Sequence, residues 1–259
     1  MYYDMKKVCF ENDNNIELLL LDTSDHLMFE NRKRSEPLFR KLISLLLKYN
    51  YISSGNLIDA GSWIGDNALP WSKMIDGVVY AIDPSEDNCR FAKNIAFING
   101  INNINFITGA LSDFKKDLYT NDDLFHCSLS EDKFGSNLIK AFSIDELYKD
   151  KIIDNISFIH LDVEGMEYSA ILGSENVIDQ FNPVIAYEQH INTDDISKII
   201  NFLDNKNYKI FIIDEVLEGC KPDCRNLLAI PGDLYDNRLL LIIKKYFNYN
   251  ILLNIEKAE

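Results

Sequence analysis

The chain has no surplus of basic charge. Across 259 residues, 26 lysines and arginines stand against 41 acidic side chains, a net charge of -15. A field of that sign repels phosphate backbones and anionic lipid surfaces, which argues against nucleic acid as the bulk substrate. A neutral or cationic small acceptor fits better. The sequence also lacks an apolar run long enough to span a bilayer. It shows no signal-type apolar segment after Lys7, because the polar residues 11–15 interrupt it. The expectation is a soluble, cytoplasmic protein without membrane insertion. No disulfide framework is legible, since Cys9, Cys89, Cys127, Cys220 and Cys224 are odd in number and scattered. Cys220 and Cys224 are close, but their spacing is off the usual two-residue pattern and no second pair stands behind them. They are expected to have no special role.

There is also no internal repeat and no linker. Instead, strands and helices alternate. Short apolar strands are expected over 57–60, 78–83, 104–108, 156–162, 183–188, 208–213 and 227–230, with helices over 36–49, 86–99, 164–178 and 193–205. Residues 1–30 suit short strands or a hairpin. Ser143 with Glu146 three residues on forms a capping box for a short helix, and 111–141 reads as polar and irregular. Alternation at this spacing is the mark of a sheet covered by helices on both faces. The expected fold is α/β: a Rossmann-like, seven-stranded, mostly parallel sheet, with one antiparallel strand inserted by a final hairpin. One domain is expected, with residues 1–50 as an N-terminal cap, 51–232 as the core, and the apolar 233–259 packing back on it.

In such sheets ligands bind beyond the carboxyl ends of the strands. Asp59-Ala60-Gly61-Ser62-Trp63-Ile64-Gly65 forms the first strand-to-helix turn. It lacks the Gly-x-Gly-x-x-Gly of a pyrophosphate site, and an acid there would crowd a polyanion. A cationic, phosphate-free cofactor such as S-adenosylmethionine suits it. Asp83 ends the next strand, where a carboxylate can accept both ribose hydroxyls of an adenosine. It can also cap the helix entered by Pro84-Ser85-Glu86. The small residues of Gly109-Ala110-Leu111 leave room for an adenine ring.

At the other end of the rim lie His160, Asp162, Glu164 and Glu167, then Glu188 and His190. Methyl transfer to a hydroxyl requires a held oxygen and a proton acceptor. The candidate catalytic residues are Asp162, His190, Glu188 and His160. His190 is the best base by its ordinary pKa, with Asp162 or Glu188 orienting it or acting directly. Asp162, Glu164, Glu188 and His190 could alternatively hold a divalent metal such as magnesium, although their spacing matches no fixed motif and no metal is favoured. Glu167 reads as an acid in a helix first turn. His26 and His126 have no comparable context.

The ordered set resembles the FkbM-type methyltransferases. The residues that carry the resemblance are the Asp59–Gly65 turn, Ala81-Ile82-Asp83-Pro84-Ser85 with Asn88, Asn94, Asn99-Gly100, Asn103-Ile104, Gly109-Ala110-Leu111-Ser112-Asp113 and Ser143-Ile144-Asp145. Further on come Leu161-Asp162-Val163-Glu164-Gly165-Met166-Glu167, Ile171-Leu172-Gly173 and Pro183-Val184-Ile185-Ala186-Tyr187-Glu188. The resemblance covers about residues 36 to 190, with a continuation to 230. It implies a methyltransferase fold and S-adenosylmethionine-dependent O-methylation, often of sugars or natural-product hydroxyls. It implies that Asp59, Gly61 and Gly65 surround the methionine part and that Asp83 takes the ribose, with Ser62, Trp63, Pro84 and Asn88 as further cofactor-binding candidates. Ala110 and Leu111 would then face the adenine, with Asp162 near the transferred methyl. This chain departs from the family in Ser62-Trp63 (usually Ala-Asn), Asp83 (usually Glu) and His160 (usually Lys). The acceptor expected is a small hydroxylated molecule such as a sugar or glycan. The competing readings are an NAD-dependent oxidoreductase and a catalytically inactive cofactor- or glycan-binding scaffold. A homodimer burying the apolar C-terminal segment is compatible with either.

Overall fold

The computed structural model describes residues 6–10, 16–20, 27–31, 35–120, 129, 137–191, 194–217 and 220–255. His26, His126 and Cys127 lie outside these residues. Near the N-terminus, strands β1 (Lys6–Phe10) and β2 (Ile16–Leu20) pair antiparallel. Helix α1 (Pro37–Lys48) follows, then β3 (Asn56–Ala60), α2 (Ala68–Ser72), β4 (Val79–Asp83), α3 (Glu86–Ile98) and β5 (Ile104–Thr108). Next come β6 (Ala110–Leu111), β7 (Lys116–Thr120), β8 (Asn137–Phe142), α4 (Ile144–Lys149) and β9 (Ile156–Leu161). The chain continues through α5 (Glu167–Leu172), α6 (Glu175–Phe181), β10 (Val184–His190), α7 (Asp194–Asn205), β11 (Tyr208–Ile213), β12 (Cys224–Pro231), α8 (Asn237–Phe247) and β13 (Leu252–Asn254).

The main sheet has the order β13-β11-β12-β10-β9-β3-β4-β5. Strands β10, β9, β3, β4 and β5 run parallel. Strand β12 enters antiparallel between β10 and β11, as the expected hairpin requires. The expected seven strands, mostly parallel, are corrected to eight in a mixed sheet. The eighth is β13, which pairs antiparallel with β11. It covers a row of backbone groups that an edge strand would otherwise expose. Its three residues sit inside an apolar segment too short to show the period of two.

Both faces of the sheet are buried. Leu57, Val79, Ala81, Phe158, Val184 and Leu228 face α1, α2 and α8 through Phe39, Trp71 and Ile243. Their sequence neighbours Ile58, Tyr80, Ile82, Ile159, Ile185 and Leu227 face the opposite layer, with Ile144, Ile171, Val177 and Ile199. Each fully buried Leu or Ile contributes roughly 1.5–3 kcal/mol over exposure, so this double layer is the main source of stability. The expected helix over 164–178 is two, α5 and α6, broken at Gly173. A Cβ on Gly173 would run into the Ser112 carbonyl oxygen, so the helix bends where two backbones meet. The irregular segment 111–141 contributes β7 and β8, which form a small sheet with β6 in the order β6-β8-β7.

The start of α1 is held from far along the chain. Its own N-cap residue, Glu36, makes no side-chain capping bond. Glu215, just after β11, accepts the Leu38 and Phe39 amides at 2.8 and 3.0 Å instead. That satisfies donors which a helix N-terminus always leaves open.

Candidate active site

The tight turn after β3 opens the site. The Gly61 and Ser62 amides both donate to the Ile82 carbonyl, at 2.9 and 3.0 Å. Gly61 and Gly65 sit at φ +75 and +79, in the left-handed region that favours glycine. A side chain on Gly61 would strike the Asp162 carbonyl oxygen, so this turn and the loop after β9 lie backbone to backbone. The Asp162 amide donates to the Ala60 carbonyl at 2.9 Å, which fixes the two loops together.

Above these strand ends lies a cavity of about 610 Å³. That volume is within the range of small-molecule sites. Its walls are Ala60, Gly61 and Trp63 from the first turn and Asp66 and Asn67 from the entry to α2. The end of β4 contributes Ile82 to Ser85, with Asp87 and Asn88. Gly109 to Leu111 line another side, and the loop after β9 brings Asp162, Val163, Glu164 and Met166. Thr120, Asn137 and Ile139 of the β7–β8 hairpin close it.

Asp83 stands at the centre of this wall and is buried. Its Oδ2 accepts the Trp63 amide at 2.8 Å, and its Oδ1 accepts the Ser85 amide and the Asn88 side chain at 2.9 and 3.1 Å. Burial nevertheless pushes its pKa above the ordinary carboxylate value. The helix cap expected of Asp83 is made instead by Ser85, whose Oγ accepts the Asn88 amide at 3.2 Å, while Asp83 holds the Ser85 amide and lines the cavity.

Among the described residues, five carboxylates line the cavity, Asp66, Asp83, Asp87, Asp162 and Glu164, and no lysine or arginine does. Arg40 of α1 reaches this wall from behind. It bonds the Asp66 carboxylate at 2.7 Å, the Asp66 carbonyl at 3.0 Å and Asn67 Oδ1 at 2.6 Å. Arg40, Asp66 and Asn67 were not anticipated from the sequence. The only signal for the last two is two polar residues directly after the second turn glycine.

Of the residues expected at the site, the cavity gathers Gly61, Trp63, Asp83, Pro84, Asn88, Ala110, Leu111, Asp162 and Glu164. Asp59, Ser62, Gly65, His160, Glu188 and His190 do not line it. Asp59 and His160 are direct neighbours across β3 and β9, and their side chains point into the core. Asp59 Oδ1 lies 2.8 Å from His160 Nδ1, with the residues 1% and 3% exposed. The imidazole stacks on Phe39 and meets Trp71 edge-on. The reason is alternation: Asp59 follows Ile58, which faces the cavity layer, and so turns with Leu57 to the other face.

Glu188 and His190 form a separate group within the last residues of β10, opposite the start of β12. The Cys224 and Cys220 thiols donate to Glu188 Oε1 at 2.8 and 3.6 Å, and His190 Nδ1 lies 3.1 Å from Asp223 Oδ1. Burial raises the pKa of Glu188 and of the Cys224 thiol. The expected metal set of Asp162, Glu164, Glu188 and His190 is therefore divided between two places.

Glu167 has a larger part than its position in a helix first turn suggests. It is 4% exposed and folds back to accept the Val163 amide at 3.1 Å and the Gly165 amide at 3.1 Å. That closes the loop carrying Asp162 and Glu164, in which Glu164 holds φ +52. Burial pushes the Glu167 pKa up to about 7 against the pull of those amides.

The cavity thus lies beyond the parallel strands of a mixed α/β sheet and, among the described residues, is rimmed by acids without a cationic side chain. The match to the Methyltransferase FkbM domain spans residues 59–210, and the chain belongs to that family. Among solved structures it is similar to methyltransferase FkbM of Methylobacillus flagellatus KT, with a TM-score of 0.52 and 20% identity. That similarity covers 68% of this chain and 43% of the other, so this chain spans less than half of that relative. It is also similar to SMU.1697c of Streptococcus mutans, described as a methyltransferase and solved in complex with SAH. There the TM-score is 0.50 at 11% identity, over 76% of this chain and 97% of that one. At these identities the likeness concerns the fold. No curated protein matches the chain.

Proposed function

We propose that the chain is an O-methyltransferase that binds S-adenosylmethionine in this cavity and methylates a hydroxyl of a small neutral acceptor, with carbohydrate as the favoured class. The observation that carries this reading is the composition of the cavity wall among the described residues, with five carboxylates and no basic side chain. Such a wall attracts a sulfonium and an ammonium and repels the pyrophosphate of a dinucleotide. It therefore favours an adenosyl cation over NAD.

The residues fit that ligand. Asp83 is placed for the ribose hydroxyls, and Ala110 and Leu111 for one face of the base. With Asp59 in the core, the ammonium end falls to Asp66, Asn67 and Asp162. The bound sulfonium supplies the methyl group. Asp162 and Glu164, the carboxylates of the loop after β9 in the cavity, orient the acceptor hydroxyl, and Asp162 takes its proton. Thr120 and Asn137 offer hydroxyl and amide groups of the kind that hold sugar hydroxyls.

Calorimetry with S-adenosylhomocysteine tests the cofactor. Hydrogen bonds to a charged group are each worth about 1.5–3 kcal/mol, so Asp83→Ala should weaken binding by roughly tenfold or more. No binding by the wild-type chain at millimolar ligand would overturn the reading. Transfer of labelled methyl to a panel of neutral sugars tests the acceptor. There Asp162→Asn should lower turnover while leaving the fold intact.

A further inference from the structure

We infer that His190, Cys220 and Cys224, joined by Glu188, form a zinc site that ties the β11–β12 connection to the end of β10. Ligand atoms of His190, Cys220 and Cys224 all lie within 4.8 Å of one another. Glu188 Oε1 is 2.8 Å from Cys224 Sγ and 3.6 Å from Cys220 Sγ, so a carboxylate oxygen sits against both sulfurs and is the fourth donor of the inferred site. Zinc bonds of about 2.0–2.3 Å in a tetrahedron place the ligand atoms roughly 3.3–3.8 Å apart, close to this arrangement.

The backbone explains why these four meet. His190 and Cys224 are partners across antiparallel β10 and β12. Glu188, two residues before His190, shares its side of the strand. The turn between the cysteines is closed by the Cys224 amide on the Lys221 carbonyl at 2.9 Å, which brings Cys220 back over the strand end. The five-residue Cys-x-x-x-Cys interval is off the usual zinc spacing, but here the sheet supplies the other two donors.

The chemistry favours zinc over magnesium. Two sulfurs, an imidazole and a carboxylate are borderline-soft donors, whereas magnesium takes oxygen and water. Asp223, whose Oδ1 sits 3.1 Å from His190 Nδ1, is the carboxylate that commonly orients a metal-bound histidine. Binding is an exchange without redox change: one Zn²⁺ enters, the Cys220 and Cys224 thiols lose their protons to solvent, and both sulfurs coordinate as thiolates. Closed by four protein ligands, the site would be structural. It is distinct from the cavity, whose wall includes none of the four residues.

The test uses the full chain, purified under reducing conditions, stripped with chelator and titrated with Zn²⁺ or Co²⁺. The expected result is one metal per chain and a cobalt spectrum with thiolate charge-transfer bands of a tetrahedral site. A rise in melting temperature on adding zinc should accompany it. Cys220→Ser, at an exposed position that leaves the core intact, should lose the charge-transfer intensity and bind zinc at least tenfold more weakly. Asp223→Asn should weaken zinc by about 10–100-fold. Zinc binding by Cys220→Ser as tight as wild type, a cobalt adduct without thiolate bands, or a Cys220–Cys224 disulfide in the reduced preparation would each overturn the inference.

Discussion

Glu167 offers the sharpest quantitative test of the structure. The perturbation is Glu167→Gln, which keeps the shape and an acceptor oxygen for the Val163 and Gly165 amides but cannot ionise. In the folded chain the carboxyl titrates near about 7, chiefly because it is buried, against an ordinary 4.5. A raised carboxyl pKa means that the native state holds a proton which the unfolded chain has already released. The stabilising contribution is therefore complete below about pH 4.5 and is lost as pH rises to about 7. At about 1.4 kcal/mol per pH decade, the interval amounts to about 3 kcal/mol. The glutamine variant carries no such loss. Measured against wild type, its relative stability should climb by about 3 kcal/mol between pH 4.5 and pH 7.5 and then level off.

The assay is urea unfolding followed by tryptophan fluorescence, for which the buried Trp71 is a reporter, at half-unit steps from pH 4.5 to 8. The difference between variant and wild type is the useful quantity. Asp83 and Glu215, buried carboxylates with raised pKa values away from this loop, impose slopes of the same sign on both proteins and cancel, whereas Glu188, whose charge helps to raise Glu167, is part of the shift under test. A difference that stays flat across this window would refute the reasoning, because it would mean that the loop amides hold Glu167 ionised throughout.

Two further predictions concern the strand ends. Gly61→Ala places a left-handed alanine against the Asp162 carbonyl, at a cost of about 1–2 kcal/mol for the backbone and about 1–3 kcal/mol for the clash. Urea midpoints should fall accordingly, and calorimetry should show S-adenosylhomocysteine binding weakened even where the variant is folded; wild-type stability would show the two loops to be further apart. His160→Phe should cost about 3–5 kcal/mol, since it strands a buried carboxylate. The double change Asp59→Leu with His160→Phe should recover most of that, and a double variant no more stable than the single would show that Asp59 is not paired in the core.

The sheet was legible because most of its strands announce themselves as short apolar runs, several of them closed by an acid, and the capping box at Ser143 held in detail: Ser143 Oγ accepts the Glu146 amide at 3.1 Å. The loop residues at the cavity were legible for a different reason. Gly61, Asp83, Ala110 and Asp162 occupy the carboxyl ends of parallel strands, and topology alone brings such ends together. The facing of Asp59 was not legible. In a strand buried on both sides, a period of two separates neighbours but does not say which layer holds the ligand. Asp59 and Ala60 are adjacent, and only the position of Phe39 and Trp71 on one side and the cavity on the other decides between them. The strands β7 and β8 were not legible, because residues 111–141 mix polar and apolar side chains without a clear period of two.

What no local pattern reveals is how the rim is held. Arg40 steadies the Asp66–Asn67 wall, Glu36 joins Arg40 at 3.4 Å and Asn226 at 2.7 Å, and Glu215 caps the helix that carries Arg40. Apart from the Glu36–Arg40 pair, one turn apart on α1, these ties link segments that are remote in the chain, and each sets a buried charge against a partner rather than against water. A buried ion pair contributes little net stability but is costly to break on one side, so these ties favour one geometry over its alternatives more than they strengthen the fold. By this reasoning helix α1 is part of the site's construction although it touches none of the cavity. Arg40→Met should shift cofactor affinity through Asp66 and Asn67, while Lys41→Met, one residue away and bonded to the Tyr246 carbonyl, should not. Equal effects of the two on S-adenosylhomocysteine binding would show that α1 acts only as a cover for the sheet.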